Sequence, residues 1–395
     1  MSTYNFDKII DRKGTRAFKY ELLKPRFGQA GLLPFWVADM EFETPSFILD
    51  ALQQRFNHPV YGYTVLPEGY FETIAQWVQT HHGWQVDTSW ISFIPGVVRG
   101  VASVINCLTS PDDKIIIQPP VYHPFKNAIV GDGRTLVTNP LRETPDHGYT
   151  MDFEQLESVI DDRCKLLILS NPHNPAGIVW DAATLRRLAE ICYKNGILVI
   201  SDEIHCDLAL WGNRHIPFAS VSKEAAEISI TFGAPTKTFN FAGLVSSYAI
   251  VPNEQLRRQF YTWLEANEYD ASDIFGPIAT MAAFTQGEPW RRELIAYIED
   301  NVRYVEEYCH NNLQGICTWR PQASFLVWLD CRKLGLSHSD LIDLFVNRAR
   351  LALNDGAMFG REGSGFMRLN VGCPRSLLTE GLDRIKTALA TIKDK

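Results

Sequence analysis

The stretch "ISITFGAPTKTFNFAGL", residues 228–244, joins an apolar run to an unusual group of polar residues. Its first six residues are mainly apolar and β-branched or aromatic, which is typical of a buried β-strand. The residues that follow include Pro235, Thr236, Lys237, Thr238 and Asn240. A simple turn needs neither a lysine nor two hydroxyls, so this strand end indicates a functional site.

Apolar runs of strand length recur from about residue 90, and segments with helical periodicity separate most of them. Continuously apolar strands that alternate with helices are typical of a mainly parallel sheet covered on both faces. We therefore predict an α/β fold with a seven-stranded sheet flanked by helices. The seven runs are "WISFI" (90–94), "KIIIQ" (114–118), "RTLVTN" (134–139), "KLLILSN" (165–171), "ILVISDE" (197–203), "ISITFG" (228–233) and "SYAIVP" (247–252).

After residue 253 the pattern changes to long helical segments and three further strand candidates. These candidates are "SFLVWLD" (324–330), "LALND" (351–355) and "FMRLNVG" (366–372). The pattern predicts a smaller α+β domain, which the N-terminal residues join because chain ends tend to lie together. The predicted boundaries give residues 1–48 to the small domain, 49–287 to the large domain and 288–395 to the small domain again.

Composition and charge argue against several classes of protein. The chain has 395 residues, a net charge of −8 and a pI near 5.7, which disfavour a surface for nucleic acid or anionic membranes. No stretch approaches the ~20 apolar residues of a membrane span, and the N-terminus lacks an apolar export signal. The eight cysteines form no CxxC pair and the ten histidines no HxxxH spacing. We therefore expect a cytoplasmic protein without a metal site or disulfide framework.

Ligands of an open parallel sheet bind beyond the carboxyl ends of the strands. At these ends the chain places Tyr122, Asn174, Asp202 and Lys237, and a helix with free N–H groups begins after Gly96. Each residue alone has a structural explanation, such as a helix cap or a turn. Together they match pyridoxal phosphate (PLP), which needs a lysine for a Schiff base, an acid for its ring nitrogen and a helix N-terminus for its phosphate.

Several motifs carry a resemblance to a known family. The opening stretch, with "SNPHNPAG" (170–177), "SDEIHCDL" (201–208) and "RLNVGCPRS" (368–376), resembles fold-type-I PLP enzymes over nearly the whole chain. The stretch "LPFWVADMEFETP" (33–45) is similar to their cystathionine β-lyase/C–S lyase branch, the MalY/PatB type within the class I/II aminotransferase family. The resemblance implies an aminotransferase-like fold and a homodimer with shared active sites.

The resemblance also implies a role for each matching residue. Lys237 would form the Schiff base, Asp202 would face the pyridine nitrogen, and Asn174 would bind the phenolate oxygen. Tyr122 would lie over the ring, and Arg368 would hold the substrate α-carboxylate. The remaining implied site residues are Val97, Val98, Thr236 and the partner subunit's Tyr61 at the phosphate, His205 at the cofactor, and Trp36 with Tyr61 at the substrate.

Two positions depart from the pattern of many aminotransferases of this fold. Val245 stands where they have an arginine that pairs with the phosphate, and His205 stands where they have a tyrosine. Both differences favour the lyase branch. We expect a carbon–sulfur β-lyase that cleaves cystathionine or related cysteine S-conjugates to a thiol, pyruvate and ammonia.

Two alternatives stay open from the sequence. An aminotransferase would need a second anchor for an acidic keto acid, and the candidates are Arg16, Arg99, Arg142 and Arg361. A binding or regulatory protein is the other alternative, because a fold does not fix a function. An intact Lys237 and Asp202 argue against regulation as the sole role. A nicotinamide oxidoreductase is disfavoured, because no GxGxxG motif follows a predicted strand.

Overall fold

The computed structural model describes residues 4–145 and 148–391. Its strands are β1 (Leu33–Pro34), β2 (Ile91–Ile94), β3 (Lys114–Ile117), β4 (Thr135–Thr138), β5 (Arg142–Glu143), β6 (Tyr149–Thr150), β7 (Cys164–Ser170), β8 (Leu198–Asp202), β9 (Ser229–Gly233), β10 (Ser247–Ile250), β11 (Cys317–Thr318), β12 (Leu326–Asp330), β13 (Leu351–Ala352), β14 (Asn354–Asp355) and β15 (Phe366–Asn370). Its α-helices are α1 (Phe18–Glu21), α2 (Leu23–Phe27), α3 (Ser46–Phe56), α4 (Tyr70–His82), α5 (Val97–Leu108), α6 (Pro124–Gly131), α7 (Phe153–Val159), α8 (Ala182–Lys194), α9 (Lys223–Ile228), α10 (Glu254–Ala266), α11 (Gly276–Gln286), α12 (Glu288–Asn312), α13 (His338–Asp343) and α14 (Arg375–Ala390).

Seven strands form the large sheet, in the order β2-β10-β9-β8-β7-β3-β4. Strand β10 runs antiparallel to both of its neighbours, and the other six strands run in one direction. These are the seven apolar runs, so the predicted seven-stranded, mainly parallel sheet is confirmed. The carboxyl ends of six strands consequently meet at one edge.

Helices bury both faces of this sheet. Leu166 and Ile168 of β7 belong to the core formed with α5, α6 and α10, whereas Leu167 and Leu169 belong to the core formed with α8 and α9. Alternate residues of a strand point to opposite faces. Burial on both faces therefore explains why the strand sequence is apolar throughout.

A second sheet of four antiparallel strands, ordered β11-β12-β15-β14, lies in the C-terminal part of the chain. The run 351–355, predicted as one strand, is divided: β13 pairs with β1, and β14 pairs with β15. The N-terminal residues thus join the C-terminal part through the pairing of Leu33 with Leu351. The domain boundaries after residues 48 and 287 stay a prediction.

Helix α5 lies directly against the large sheet and aims its first turn at the sheet edge. A Cβ atom at Gly100 would lie 2.7 Å from the ring of Phe232 on β9, so only glycine permits this close packing. Gly96, before the helix, has φ of 104°, which other residues rarely adopt. Two glycines therefore place the start of α5 beside the carboxyl ends of the strands.

The described part of the chain contains no helix with both the length and the apolar character to cross a bilayer. All eight cysteines are free.

Candidate active site

A cavity of about 240 Å³ lies at the carboxyl ends of the large sheet. Strands β7, β8 and β9 end side by side there, because Ser170 pairs with Asp202 and Asp202 pairs with Phe232. The structure brings eight of the predicted residues into the lining of this cavity: Val97, Val98, Tyr122, Asn174, Asp202, His205, Thr236 and Lys237. Residues more than a hundred positions apart in sequence thus line one cavity.

Lys237 lies in the turn that follows β9. Its Nζ atom donates a hydrogen bond to the Ala38 carbonyl at 2.6 Å. Desolvation lowers the pKa of Lys237 to about 8, and the negative charges of Asp39 and Asp202 oppose this shift. A lysine with this pKa is neutral in a larger fraction of molecules near neutral pH than an ordinary lysine, and the neutral form is what a nucleophile or a general base requires.

Asp202 ends β8 and is 6% exposed. Its carboxylate accepts a hydrogen bond from the Ile204 N–H at 3.1 Å. Burial raises the pKa of Asp202 to about 7, although that N–H and the charge of Lys237 oppose the increase. The neighbouring N–H and positive charge are therefore too weak to offset the burial of the carboxylate. A cationic ligand group beside it would favour its charged form.

Arg368, on β15, lies behind the lining of the cavity and contacts Asn174, which is part of that lining. Its Nη1 donates to Asn174 Oδ1 at 2.9 Å, and its Nη2 donates to the Trp36 carbonyl at 3.0 Å and to Asn354 Oδ1 at 2.6 Å. Its Nε–H has no partner among the described residues, and its guanidinium lies 4.9 Å from the centre of the Phe359 ring. Burial lowers the pKa of Arg368 to about 10. The guanidinium stays charged at neutral pH, and it forms no salt bridge with a carboxylate in the part of the chain that the structure describes.

The first turn of α5 forms another wall of the cavity. No side chain caps this helix, so the N–H groups of Val97 and Val98 remain donors for a ligand. Thr236 and Val245 line the same cavity from the segment around Lys237. Uncapped N–H groups and the positive end of a helix dipole are suited to an anion such as a phosphate.

His205 and Tyr122 complete the predicted lining. His205 Nδ1 lies 3.2 Å from Ser324 Oγ, and burial lowers the pKa of His205 to about 3. Burial also raises the pKa of Tyr122. Both side chains are therefore neutral at physiological pH, and they offer a ligand ring surfaces and hydrogen bonds without charge.

Besides Arg368, two predicted residues do not line the cavity. Tyr61 is exposed, and its hydroxyl donates to the Phe56 carbonyl at 2.6 Å. The Trp36 indole N–H donates to the Lys19 carbonyl at 2.9 Å, and only the Trp36 backbone carbonyl contacts Arg368. The roles of these two residues, like those of the residues in the lining, stay predictions.

The cavity also contains groups that sequence reasoning missed. The Ala38 carbonyl holds Lys237, and no residue type signals a backbone acceptor. Ser246 and Ser247 line the cavity too, and the pair of hydroxyls at the start of β10 would have been the signal for them. Arg99, considered only as an anchor for a keto acid, lies in the lining on the first turn of α5.

A larger cavity of about 1060 Å³ lies beside α4 and is lined in part by His82 and His215. His82 Nε2 lies 2.9 Å from an oxygen of Asp207, and His215 Nε2 lies 2.7 Å from an oxygen of Glu203. These imidazoles already have carboxylate partners within the chain. The smaller cavity is therefore the stronger candidate for the active site, because within the described residues no salt bridge involves Lys237, Asp202 or Arg368.

Comparison with known proteins places this geometry in context. Residues 38–385 match the family model described as aminotransferase class I and II. The chain is 42% identical over 387 residues to cystathionine beta-lyase PatB of Bacillus subtilis (strain 168), covering 98% of this chain and 100% of PatB. It is 33% identical over 394 residues to protein MalY of Escherichia coli (strain K12), covering 99% and 100% of the two chains. The crystal structure of cystalysin from Treponema denticola, which contains a pyridoxal 5'-phosphate cofactor, superimposes with a TM-score of 0.95 at 33% identity, covering 98% of this chain and 99% of cystalysin.

The raised pKa of Asp202 predicts a pH-dependent effect of Asp202→Asn on stability. Between the ordinary carboxyl pKa near 4 and the folded value of about 7, the folded protein keeps a proton that the unfolded chain has lost. The wild type therefore loses stability as pH rises through this window, whereas the variant does not. In urea unfolding without ligands, we expect the free energy of unfolding of the variant to increase relative to that of the wild type. The increase should be on the order of 4 kcal/mol between pH 4 and pH 7.

Asp181→Asn is the matched control. The N–H group of Thr184 is the first cause of the lowered pKa of Asp181, so its ionisation is complete below this window. The difference between this control and the wild type should stay constant from pH 5 to pH 7. A constant difference for Asp202→Asn as well would show that Asp202 ionises normally in the folded protein.

Proposed function

This chain belongs to the aminotransferase class I and II family, and within that family we propose the function of a PLP-dependent carbon–sulfur β-lyase. The enzyme cleaves the Cβ–S bond of cystathionine or related cysteine S-conjugates, as the name of its full-length relative cystathionine beta-lyase PatB supports. The observation that carries this proposal is the enclosure of Lys237 and Asp202 in one cavity, with Arg368 bonded to Asn174 in its lining.

The residues of the cavity fit PLP. The uncapped N-terminus of α5 suits its phosphate, and the undercompensated carboxylate of Asp202 suits its protonated ring nitrogen. The lowered pKa of Lys237 suits a lysine that bonds covalently to an aldehyde. The unpartnered Nε–H of Arg368 suits the carboxylate of an amino acid. The phosphate, ring nitrogen and aldehyde of the cofactor and the carboxylate of the substrate thus each have a matching group in the chain.

Four residues of this chain would carry the reaction. When bound, PLP supplies an imine link to the substrate amine and an electron sink for the bond that breaks at Cα. Arg368 orients the substrate through its α-carboxylate. Lys237 removes the Cα proton, and the Ala38 carbonyl holds the resulting ammonium group. Asp202 stays ionised against the ring nitrogen, and Asn174 orients Arg368. A thiolate then leaves Cβ, and hydrolysis yields pyruvate and ammonia.

The arginines considered as a second anchor favour the lyase over the aminotransferase. Arg142 pairs with Asp152, and Arg361 pairs with Glu362, both near the protein surface. Within the described part of the chain, Arg99 is the member of this set that lines the cavity, and it lies on the helix turn assigned to the phosphate. An acidic keto acid would therefore compete with the cofactor for Arg99.

The decisive experiment combines product analysis with labelling of the cofactor lysine. Incubation of the purified protein with cystathionine should release pyruvate without any added keto acid. Borohydride should bleach the bound cofactor, and mass spectrometry should find the pyridoxyl adduct on Lys237. Lys237→Ala should lose about 10²- to 10⁴-fold in rate, because it lacks the general base.

Lys223→Ala, which removes an exposed lysine on α9, is the control and should keep the wild-type rate. Amino transfer to a keto acid without pyruvate release would establish the aminotransferase alternative. An adduct on another lysine would refute the assignment of Lys237.

Arg368→Lys tests how the substrate is held. Lysine keeps the charge but cannot form the bidentate bonds that a guanidinium makes to a carboxylate. We expect the KM for thioether amino acids to rise about 10- to 100-fold, since hydrogen bonds to a charged group contribute about 1.5–3 kcal/mol. Decarboxylated amine analogues should be much less affected. An equal loss for both substrate classes would mean that Arg368 supports the fold and does not bind the carboxylate.

We also propose that the active unit is a homodimer in which Tyr61 serves the partner's phosphate. Residues 57–69 contain no regular secondary structure and expose several apolar side chains, among them Val60, Tyr63 and Val65. An exposed apolar group of this kind is typical of a protein interface. Tyr61 lies in this segment, away from the cavity of its own chain. A second copy of the chain would bury the segment.

Mixing two inactive homodimers tests this arrangement. Tyr61→Phe and Lys237→Ala should each impair activity, because each alters both sites of its dimer. After subunit exchange, a heterodimer should contain one site without either change, so part of the wild-type activity should return. Mass spectrometry of the mixture confirms the exchange. Heterodimers that form but stay inactive would contradict a site shared between subunits.

Two further assignments belong to this proposal. We place the enzyme in the cytoplasm, which the eight free cysteines support. We divide the chain into a large PLP-binding domain, residues 49–287, and a small domain built from residues 1–48 and 288–395. The pairing of β1 with β13 supports this division.

A further inference from the structure

One N-terminal segment, residues 36–42, crosses beneath the cavity and contacts the two functional cations. We call it the floor segment. Its Ala38 carbonyl accepts a hydrogen bond from Lys237, and its Trp36 carbonyl accepts one from Arg368. Asn240, three residues after Lys237, bonds to the backbone of Met40 through both ends of its side-chain amide. The position of the floor segment therefore sets the position of Lys237.

A cluster of four charged residues holds the floor segment in place. Asp39 and Glu41 belong to the segment, and Arg12 and Lys19 come from the residues before it. Arg12 lies 2.8 Å from Asp39 Oδ2 and 3.0 Å from Glu41 Oε1. Lys19 lies 2.7 Å from Glu41 Oε1 and 3.3 Å from Asp39 Oδ1, and it is only 1% exposed. Two cations and two anions balance one another, so neither carboxylate is left unpaired on the protein side.

The two carboxylates differ in their relation to Lys237. Asp39 directly follows Ala38, whereas Glu41 lies two residues further along the chain. Asp39 is the first of the charges that raise the pKa of Lys237, ahead of Asp202. Arg12 and Lys19 lower the pKa of Asp39 below its ordinary value, so this carboxylate is ionised at neutral pH.

Several other charged or titratable groups face Lys237. Asp202 ends β8 and His205 follows it, Arg368 comes from β15, and Lys19 forms an ion pair with Asp39. Arg368 and Lys19 disfavour the protonated form of Lys237, and Asp202 favours it. When Asp202 binds a cationic ring nitrogen, that cation largely neutralises the effect of the Asp202 charge on Lys237. Asp39 then remains as the negative charge that acts on Lys237.

We propose that Asp39 is a positioning residue of the lyase reaction, whose charge stabilises protonated Lys237 while the Ala38 carbonyl orients it. This inference rests on the proposed role of Lys237 as the general base. Uptake of the Cα proton turns a neutral amine into an ammonium group in an enclosed site. The carbonyl of Ala38 accepts a hydrogen bond from this ammonium group, and the negative charge of Asp39 attracts it. Both groups therefore favour the state that proton transfer produces.

The test compares Asp39→Asn with Glu41→Gln in the holoenzyme. Each variant removes one negative charge from the same cluster. In the wild type, each of these two carboxylates contacts both Arg12 and Lys19. Removing the charge of Asp39 lowers the pKa of Lys237, so the acidic limb of the kcat–pH profile should move to lower pH by about one unit. The plateau of kcat should fall because the base is weaker, with little change in KM. Glu41→Gln should destabilise the protein but leave the acidic limb in place.

A second readout does not depend on turnover. The absorbance of the cofactor bound through Lys237 should titrate at lower pH in Asp39→Asn, and Asp39→Glu should restore the wild-type midpoint. If the wild type released no pyruvate, the proposed function would fail, and this titration would still decide the role of Asp39. An unshifted midpoint in Asp39→Asn, or equal shifts in both amide variants, would overturn the inference.

Arg12→Gln covers the case in which Asp39→Asn does not fold. Arg12 is partly exposed and balances Asp39, so its removal leaves that carboxylate less compensated. The pKa of Lys237 should then rise, and both the acidic limb and the absorbance midpoint should move to higher pH. This upward shift is opposite in sign to the shift expected for Asp39→Asn, as it should be if the charge of Asp39 acts on Lys237. An absent or downward shift of the midpoint would refute the inference.

Discussion

The site depends on a desolvated pair of opposite charge, Lys237 and Asp202, at one edge of a parallel sheet. Burial disfavours the charged form of each group. Their pKa values of about 8 and about 7 therefore approach each other from opposite ends of the scale. Near neutral pH a small electrostatic change decides which of them is charged. A cofactor with a basic ring nitrogen and an anionic phosphate changes the charge of the cavity at both ends, which makes it a suitable ligand.

The same constraint explains why both parts of the fold contribute to one cavity. The large sheet supplies the carboxylate and the lysine, but the carbonyl that holds the lysine comes from the floor segment. Arg368 comes from the small sheet and bonds to the floor segment and to Asn174. Asn370, two residues further on, donates to the carbonyls of Val37 and Asp39. The buried cations thus find backbone acceptors, which bind them without neutralising their charge.

Much of this arrangement could be predicted from the sequence, because buried parallel strands have a distinct composition. All seven strands of the large sheet appear as apolar runs, and the polar residues that end them lie together as expected. Two-residue strands such as β1 and β11 are too short to show a period. The Ala38 carbonyl was not predictable, because a backbone acceptor leaves no trace in residue type. Tyr61 lies outside its own cavity, so the role predicted for it depends on a second copy of the chain.

The wall around α5 shows how the chain can bind an anion with little buried charge. Val245 adopts φ of 51°, a left-handed conformation that costs a β-branched residue on the order of 1–3 kcal/mol. A Cβ atom at Gly96 would lie 3.1 Å from Val245 Cγ1, so the two turns are in close contact. The Val245 side chain is 37% exposed and uncharged, so it adds no cation to this wall. Backbone N–H groups carry no net charge, and Arg99 on the same helix turn is exposed to water. This wall therefore offers an anion neutral backbone donors, while the full positive charge of Arg99 lies where water can solvate it.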